Sequence, residues 1–186
     1  MAEGVTLVRA ATPQDAGALA AIYGHACLHG FGTFEEAAPT PEEMAGRMAA
    51  IQARGLPYLV AEVEGEVLAM AYAGPFRPRA AYRYSVEDSV YVSPRAQGQG
   101  LGRLVLSAVI DHCEGMALRQ MMAVIGDSEN LGSIRLHESL GFVRQGVMRS
   151  VGYKHGRWLD IVMMQRPLNS GDASPPDAGG LQLSGF

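Results

Sequence analysis

The chain has 186 residues, a hydrophobic fraction of 48% and a formal net charge of −4. That length suits one domain with a self-sufficient core, and an acidic balance with scattered basic residues argues against nucleic acid as a partner. No run approaches a membrane span and the N-terminus has neither a basic region nor an apolar signal core, so the expected setting is cytoplasmic, without a membrane partner.

The elements follow in order. Residues 5–10 form a short strand candidate. Thr12-Pro13-Gln14-Asp15 then has the pattern of a helix start, with Thr as N-cap and Pro at the first helical position. Ala16, Leu19, Ala20 and Tyr23 mark the buried face of that helix. A polar loop over 29–39 carries Phe31 and Phe34. Thr40-Pro41-Glu42-Glu43 is a full capping box, Met44, Met48 and Ile51 give the next helix its inner face, and Gly55 ends it. Residues 58–63 and 66–74 read as strands around Glu64-Gly65, a hairpin turn. The segment 77–84 leads into a strand over 85–93, where polar and apolar residues alternate around Val90-Tyr91-Val92. The Gly-rich stretch from Arg95 to Gly102 follows. Leu101, Leu104, Val105, Ala108 and Val109 then recur at helical spacing. A strand over 121–125, a short helix over 130–140 closed by Gly141, and a strand pair over 143–151 and 158–166 complete the domain. Cys27 and Cys113 lie in apolar segments without C-x-x-C spacing and read as reduced core thiols; no metal ligands are assigned.

The order is β-α-α-β-β-β-α-β-α-β-β, an α/β (α+β) fold with a mixed central sheet flanked by helices. Residues 1–168 form the expected domain. Residues 169–186, rich in Gly, Pro and Ser, read as a disordered tail.

Strand, Gly-rich turn and helix N-terminus together make an anion site, because the first helical turn leaves backbone N–H groups unpaired and glycine lets a phosphate approach them. A P-loop would need Lys-Ser/Thr after its last glycine, and Gly102 is followed by Arg103 and Leu104. A dinucleotide fingerprint starting at Gly98 would need a third glycine at position 103, which is Arg. What remains is Arg/Gln-x-x-Gly-x-Gly/Ala, which resembles the pyrophosphate loop of the GNAT acyltransferases; the alternative for a lone G-x-G is a turn without function. A second block narrows the choice. Residues 130–142 (NLGSIRLHESLGF) look like the N-x-x-S-x-x-L-Y/H-E-x-L-G-F segment of the same enzymes. Asn130, Ser133 and His137 fall on one helix face. Taken singly, they would be an N-cap, a surface residue and a satisfied core histidine.

The element order agrees with the GNAT fold, and the likeness extends to its phosphinothricin/methionine sulfoximine (sulfone) N-acetyltransferase branch. It is carried by GPFRPRAAYRYSVEDSVYV, SPRAQGQGLG, SIRLHESLGF and GYKHGRW, and covers about residues 5–168. Asp88 departs from the pattern, where some members have Ser or His. The resemblance implies acetyl-CoA as cofactor and transfer of its acetyl group to a primary amine on a small amino-acid-like molecule. Gln97, Gly98, Gln99, Gly100, Leu101, Gly102 and Arg103 would cradle the pyrophosphate, and Val90, Tyr91 and Val92 would pair with the pantetheine arm as an added strand does. Asn130 and Ser133 would contact the cofactor. The attacking amine must be neutral, so a proton acceptor is needed. Glu87 is the candidate, directly or through water; alternation puts it with Ser89 and Tyr91, opposite Asp88, and the family pattern selects it. His137 would donate to the leaving thiolate or share the proton path.

Arginine reads carboxylates and phosphinates bidentately, so Arg79 and Arg83, with Tyr82 between them, are candidate acceptor ligands beside Glu87. A solvated basic loop is the other reading. Phe31 and Phe34 would wall the acceptor pocket or serve a dimer interface, and Lys154, His155 and Trp158 would supply that interface of an expected homodimer. Two further readings stay open: an acceptor that is a protein N-terminus or a polyamine, and a non-catalytic acetyl-CoA-binding domain.

Overall fold

The computed structural model describes residues 6–176 and 179–183. Its strands are β1 (Thr6–Ala10), β2 (Tyr58–Val63), β3 (Glu66–Pro75), β4 (Ser85–Val92), β5 (Gln120–Gly126), β6 (Val143–Lys154) and β7 (Arg157–Pro167). Its helices are α1 (Ala16–His29), α2 (Pro41–Gln52), α3 (Leu101–Gly115) and α4 (Leu131–Ser139). The strands form one seven-stranded sheet in the order β1-β2-β3-β4-β5-β7-β6. Every pairing is antiparallel except β4 with β5. The expected element order is reproduced; Val5, assigned to the first strand, lies outside the described residues.

Local chemistry accounts for the boundaries. Thr40 Oγ1 accepts from the Glu43 N–H at 3.2 Å while the Glu43 carboxylate accepts from the Thr40 N–H at 2.7 Å, so both ends of the capping box close. At Thr12 the first turn is instead a short 3-10 piece, and Asp15 accepts from the Thr12 N–H at 2.7 Å. Glu64 and Gly65 both take positive φ (52° and 84°), the conformation that a two-residue hairpin with the right twist requires. The last hairpin is longer than its apolar pattern suggests: β6 runs to Lys154 and turns at His155-Gly156.

Alternation along the strands separates two cores. Ala69, Ala71 and Ala73 of β3 meet α3, whose Val105, Leu106, Val109 and Cys113 are fully buried. Met70 of β3, with Tyr58 and Val60 of β2, faces α1 and α2 through Leu19, Tyr23, Met44 and Met48. Small residues on one face let α3 sit close to the sheet; large ones on the other fill the space beneath two helices. On α3 the buried stripe includes Leu106 and Ile110, whereas Leu104 turns outward. A period of 3.6 leaves either neighbour of the 101/105/109 row eligible, and the tilt of the helix on the sheet decides between them.

The tail that composition marks as disordered has anchored positions. Asn169 donates to the carbonyls of Glu114 and Leu118, Arg119 bonds Ser170, and Leu181 is buried in the α3-side core with its N–H on the Arg83 carbonyl at 2.8 Å. A composition average does not register one apolar residue with a place to go.

Candidate active site

The sheet opens where β4 and β5 part. Their parallel pairing covers only Ser85, Val86 and Glu87 against Gln120, Met121 and Met122. Beyond Glu87 the β5-facing edge of β4 has no strand partner among the described residues, leaving its backbone free to bind an extended amide chain. A cavity of about 1170 Å³ occupies the gap. Its walls come from α1 and the loop after it, from residues 87–92, from the Gly-rich loop, from the end of β5, and from α4.

The Gly-rich loop fits a pyrophosphate. Gly98 and Gly100 adopt left-handed φ (75° and 82°), and open space surrounds the place where a side chain would stand on either. Gly100 is the N-cap of α3 and no side chain closes that helix end, so the first-turn N–H groups face outward. Gly102 has another role: a Cβ there would lie 3.2 Å from Val92 Cγ2, so its absence lets α3 start against β4. Arg103, exposed in the first turn, adds positive charge.

Two adjacent carboxylates behave differently at the point of divergence. Glu87 faces the α1/α2 side, half-buried, with no hydrogen bond to its carboxylate among the described residues. Burial, then the charge of Asp88, push its pKa up to about 7, against a smaller lowering by Arg77. Asp88 faces α3 and α4, and its Oδ2 lies 3.0 Å from His137 Nε2. His137 Nδ1 is 2.7 Å from the Ser133 carbonyl, an acceptor that requires a proton on that nitrogen. Burial pulls His137 toward neutrality, but the Asp88 hydrogen bond and charge, with the Ser133 carbonyl, outweigh it and hold its pKa above the ordinary value. His137 and Asp88 thus form a buried hydrogen-bonded pair, with Asp88 Oδ1 enclosed and, among the described residues, without a hydrogen-bond partner.

This arrangement agrees with known proteins. Residues 25–142 match the acetyltransferase (GNAT) family. The chain belongs to that family. It is 51% identical over 170 residues to a phosphinothricin N-acetyltransferase of Alcaligenes faecalis, covering 91% of this chain and 86% of that one. It is 42% identical over 171 residues to an L-methionine sulfoximine/L-methionine sulfone acetyltransferase of Salmonella typhimurium, covering 92% and 98%. A GNAT phosphinothricin acetyltransferase from Sinorhizobium meliloti, solved with acetyl-CoA, superposes with a TM-score of 0.90 at 45% identity, covering 94% and 95%.

Most residues assigned from the sequence of this GNAT protein meet at the cavity: Glu87, His137, Val90, Tyr91, Val92, Gln97, Gly98, Gly100, Leu101, Gly102, Arg103, Asn130, Ser133 and Phe34 all line it. Asn130 caps α4, accepting from the Ser133 N–H at 3.2 Å. Others stand apart. Gln99 turns back to the Arg95 carbonyl, 3.2 Å away. Phe31 lies behind the wall under the Arg157 guanidinium. Tyr82 packs edge-on to Phe76, Arg83 lies over the Tyr84 ring, and Arg79 is exposed; none of these three lines the cavity. His137 is 2% exposed with both ring nitrogens engaged, so donation to a leaving thiolate would break one of those bonds.

Sequence reasoning missed Asp88 as the partner of His137, and Tyr23, Thr33 and Tyr72 as cavity walls. A carboxylate at an apolar position of the alternation, beside Val86 and Val90, was the available signal for Asp88.

Proposed function

We propose that the chain transfers acetyl from acetyl-CoA to the amino group of a small amino-acid-like acceptor of the phosphinothricin or methionine sulfoximine/sulfone type, with Glu87 as the proton acceptor. The observation that carries this reading is the Glu87 carboxylate, without a hydrogen-bond partner among the described residues, at the split between β4 and β5 in the same cavity as the Gly-rich loop and the loop bearing Thr33 and Phe34. Acetyl-CoA supplies the thioester, whose carbonyl carbon takes the new C–N bond as the C–S bond breaks.

The residues act around that exchange. The first turn of α3 and the Gly98–Gly100 turn hold the pyrophosphate through backbone N–H groups. The free edge of Val90, Tyr91 and Val92 aligns the pantetheine amides. Glu87, with a pKa near neutrality, takes the ammonium proton so that the nitrogen lone pair can attack, directly or through one water. His137 serves as a positioning residue, because its ring ties α4, which carries Asn130 and Ser133, to β4 beneath the same cavity. Arg77, near enough to act on Glu87, brings positive charge to the acceptor side, which favours a carboxylate-bearing amine over a polyamine.

The test is thiol release from acetyl-CoA with a panel of amines. Turnover with phosphinothricin and methionine sulfone but not with spermidine or N-terminal peptides supports the reading; turnover of peptides alone, or acetyl-CoA binding without turnover, overturns it.

A homodimer is part of the proposal. Val143, Met148, Val151, Tyr153 and Trp158 expose a row of large apolar side chains on the last hairpin, with Trp158 64% exposed. A second copy would cover them. Analytical ultracentrifugation should give twice the 19.8 kDa chain mass, and Trp158→Glu should halve it. No helix among the described residues is long and apolar enough to cross a membrane, and the buried free thiols of Cys27 and Cys113 suit the reducing cytoplasm we propose as its setting.

A further inference from the structure

The tip of the β6–β7 hairpin grips the loop that follows α1. Lys154 is 1% exposed, and its Nζ donates to the Thr33 carbonyl at 2.8 Å and to the Ala26 carbonyl at 3.4 Å. Ala26 lies in the last turn of α1, where the helix dipole favours a cation. Gly152 makes room for Phe34: a Cβ there would stand 2.2 Å from Phe34 Cε2. Arg157 covers Phe31 at 4.2 Å from the ring centroid while it pairs with Asp127. Each contact holds a different residue of the loop, and two of those residues, Thr33 and Phe34, line the cavity.

An ammonium is costly to bury, and an apolar side chain of similar length would fill the same space at no such cost. What lysine adds is direction: it draws one backbone carbonyl of the loop to a set point at the end of α1. The Thr33 side chain is set as well, its hydroxyl 3.0 Å from Tyr23 Oη, another cavity-lining group. We infer that Lys154 is a positioning residue for the amine acceptor: by tethering Thr33 to α1 it sets where Thr33 and Phe34 stand in the cavity, and thereby which acceptors fit. The inference rests on the acceptor reading given above.

Steady-state kinetics of the full chain with acetyl-CoA and phosphinothricin test it, using Lys154→Met, Lys154→Arg and Gly152→Ala. Lys154→Met should raise the acceptor KM about tenfold, short of the hundredfold that an ångström of misplacement can cost. The KM for acetyl-CoA and kcat should stay within about twofold, because this tether does not reach the cofactor loop. Lys154→Arg, which keeps the cation, should recover part of the loss. Gly152→Ala displaces the Phe34 ring without touching Lys154 and should raise the same KM; if Lys154→Met does not fold, Lys154→Arg decides, by an acceptor KM raised above wild type with the acetyl-CoA KM unchanged. Equal loss for both substrates, or an unchanged acceptor KM in the folded variants, overturns the inference. If the wild-type chain turns over phosphinothricin and Lys154→Met matches it, only this inference falls. If the wild type turns over no amino-acid analogue, the acceptor reading falls first and takes the inference with it.

Discussion

The two faces of β4 carry neighbouring carboxylates with opposite fates. On the α3/α4 face, Asp88 is shut in with His137, and the two share a hydrogen bond of 3.0 Å. On the α1/α2 face, Glu87 has neither a counter-ion in contact among the described residues nor full exposure to water, so its proton affinity rises into the neutral range. One residue of register along a strand separates a group that holds the protein together from one available for chemistry. A carboxylate type alone says little; the partner it finds across the fold decides its use.

The sharpest way to break this contrast is to neutralise the unpaired side. Glu87→Gln should lower kcat/KM for acetyl transfer by about 10²–10⁴-fold, the range typical of a positioned base. Thiol release across pH checks it: the wild type should show an acid limb centred near the Glu87 pKa of about 7, and the variant should lack it. The variant should be as stable as the wild type or slightly more so. A folded-state pKa raised above 4.5 means that ionising Glu87 costs the folded state stability, a cost that builds from about pH 4.5 and is complete above about 7. A variant within tenfold of wild type at every pH removes Glu87 from the chemistry.

A smaller effect separates cofactor from acceptor. Gly100→Trp forces a side chain onto a φ of 82° at the open helix end, and strain of about 1–3 kcal/mol that the bound state must hold corresponds to roughly five- to 150-fold in affinity. Calorimetry should show weaker acetyl-CoA binding. Unchanged affinity would disconnect the Gly-rich loop from the cofactor.

The paired side should report in stability before activity. Asp88→Ala leaves a buried imidazole without its carboxylate and should cost about 3 kcal/mol in urea unfolding, with kcat/KM of the folded protein within about tenfold. The pH dependence has a definite sign. A histidine whose folded pKa lies above 6.5 contributes stability that is complete below that value and lost as pH rises through the folded one. The stability gap between wild type and Asp88→Asn should therefore narrow with rising pH. A gap that widens, or a loss of kcat larger than that of Glu87→Gln, would reverse the roles assigned to the two faces.

Local patterns made much of this site legible. The β4 alternation, the glycines at 98 and 100, the helix after them and the Asn130 cap each depend on residues a few positions apart, so periodicity and turn chemistry expose them directly. Arg79, Tyr82 and Arg83 show the limit of that method. Residue type and nearness in sequence suggest a cluster aimed at the acceptor, yet Arg83 and Tyr82 find rings on their own segment to pack against.

By itself the sequence determined the order of elements and the Gly-rich turn that opens α3, because each follows from short-range sterics and hydrogen bonding, while the choice of Glu87 as candidate base comes from the family resemblance. Only the tertiary structure decided that Asp88 belongs to His137, 49 positions away, and that Lys154 belongs to Thr33, 121 positions away. The apolar position of Asp88 in its strand marks it as buried, but no local pattern names the partner in either contact. Each exists because the sheet order brings distant segments within hydrogen-bonding distance, and because a buried charge must find a partner wherever the fold supplies one.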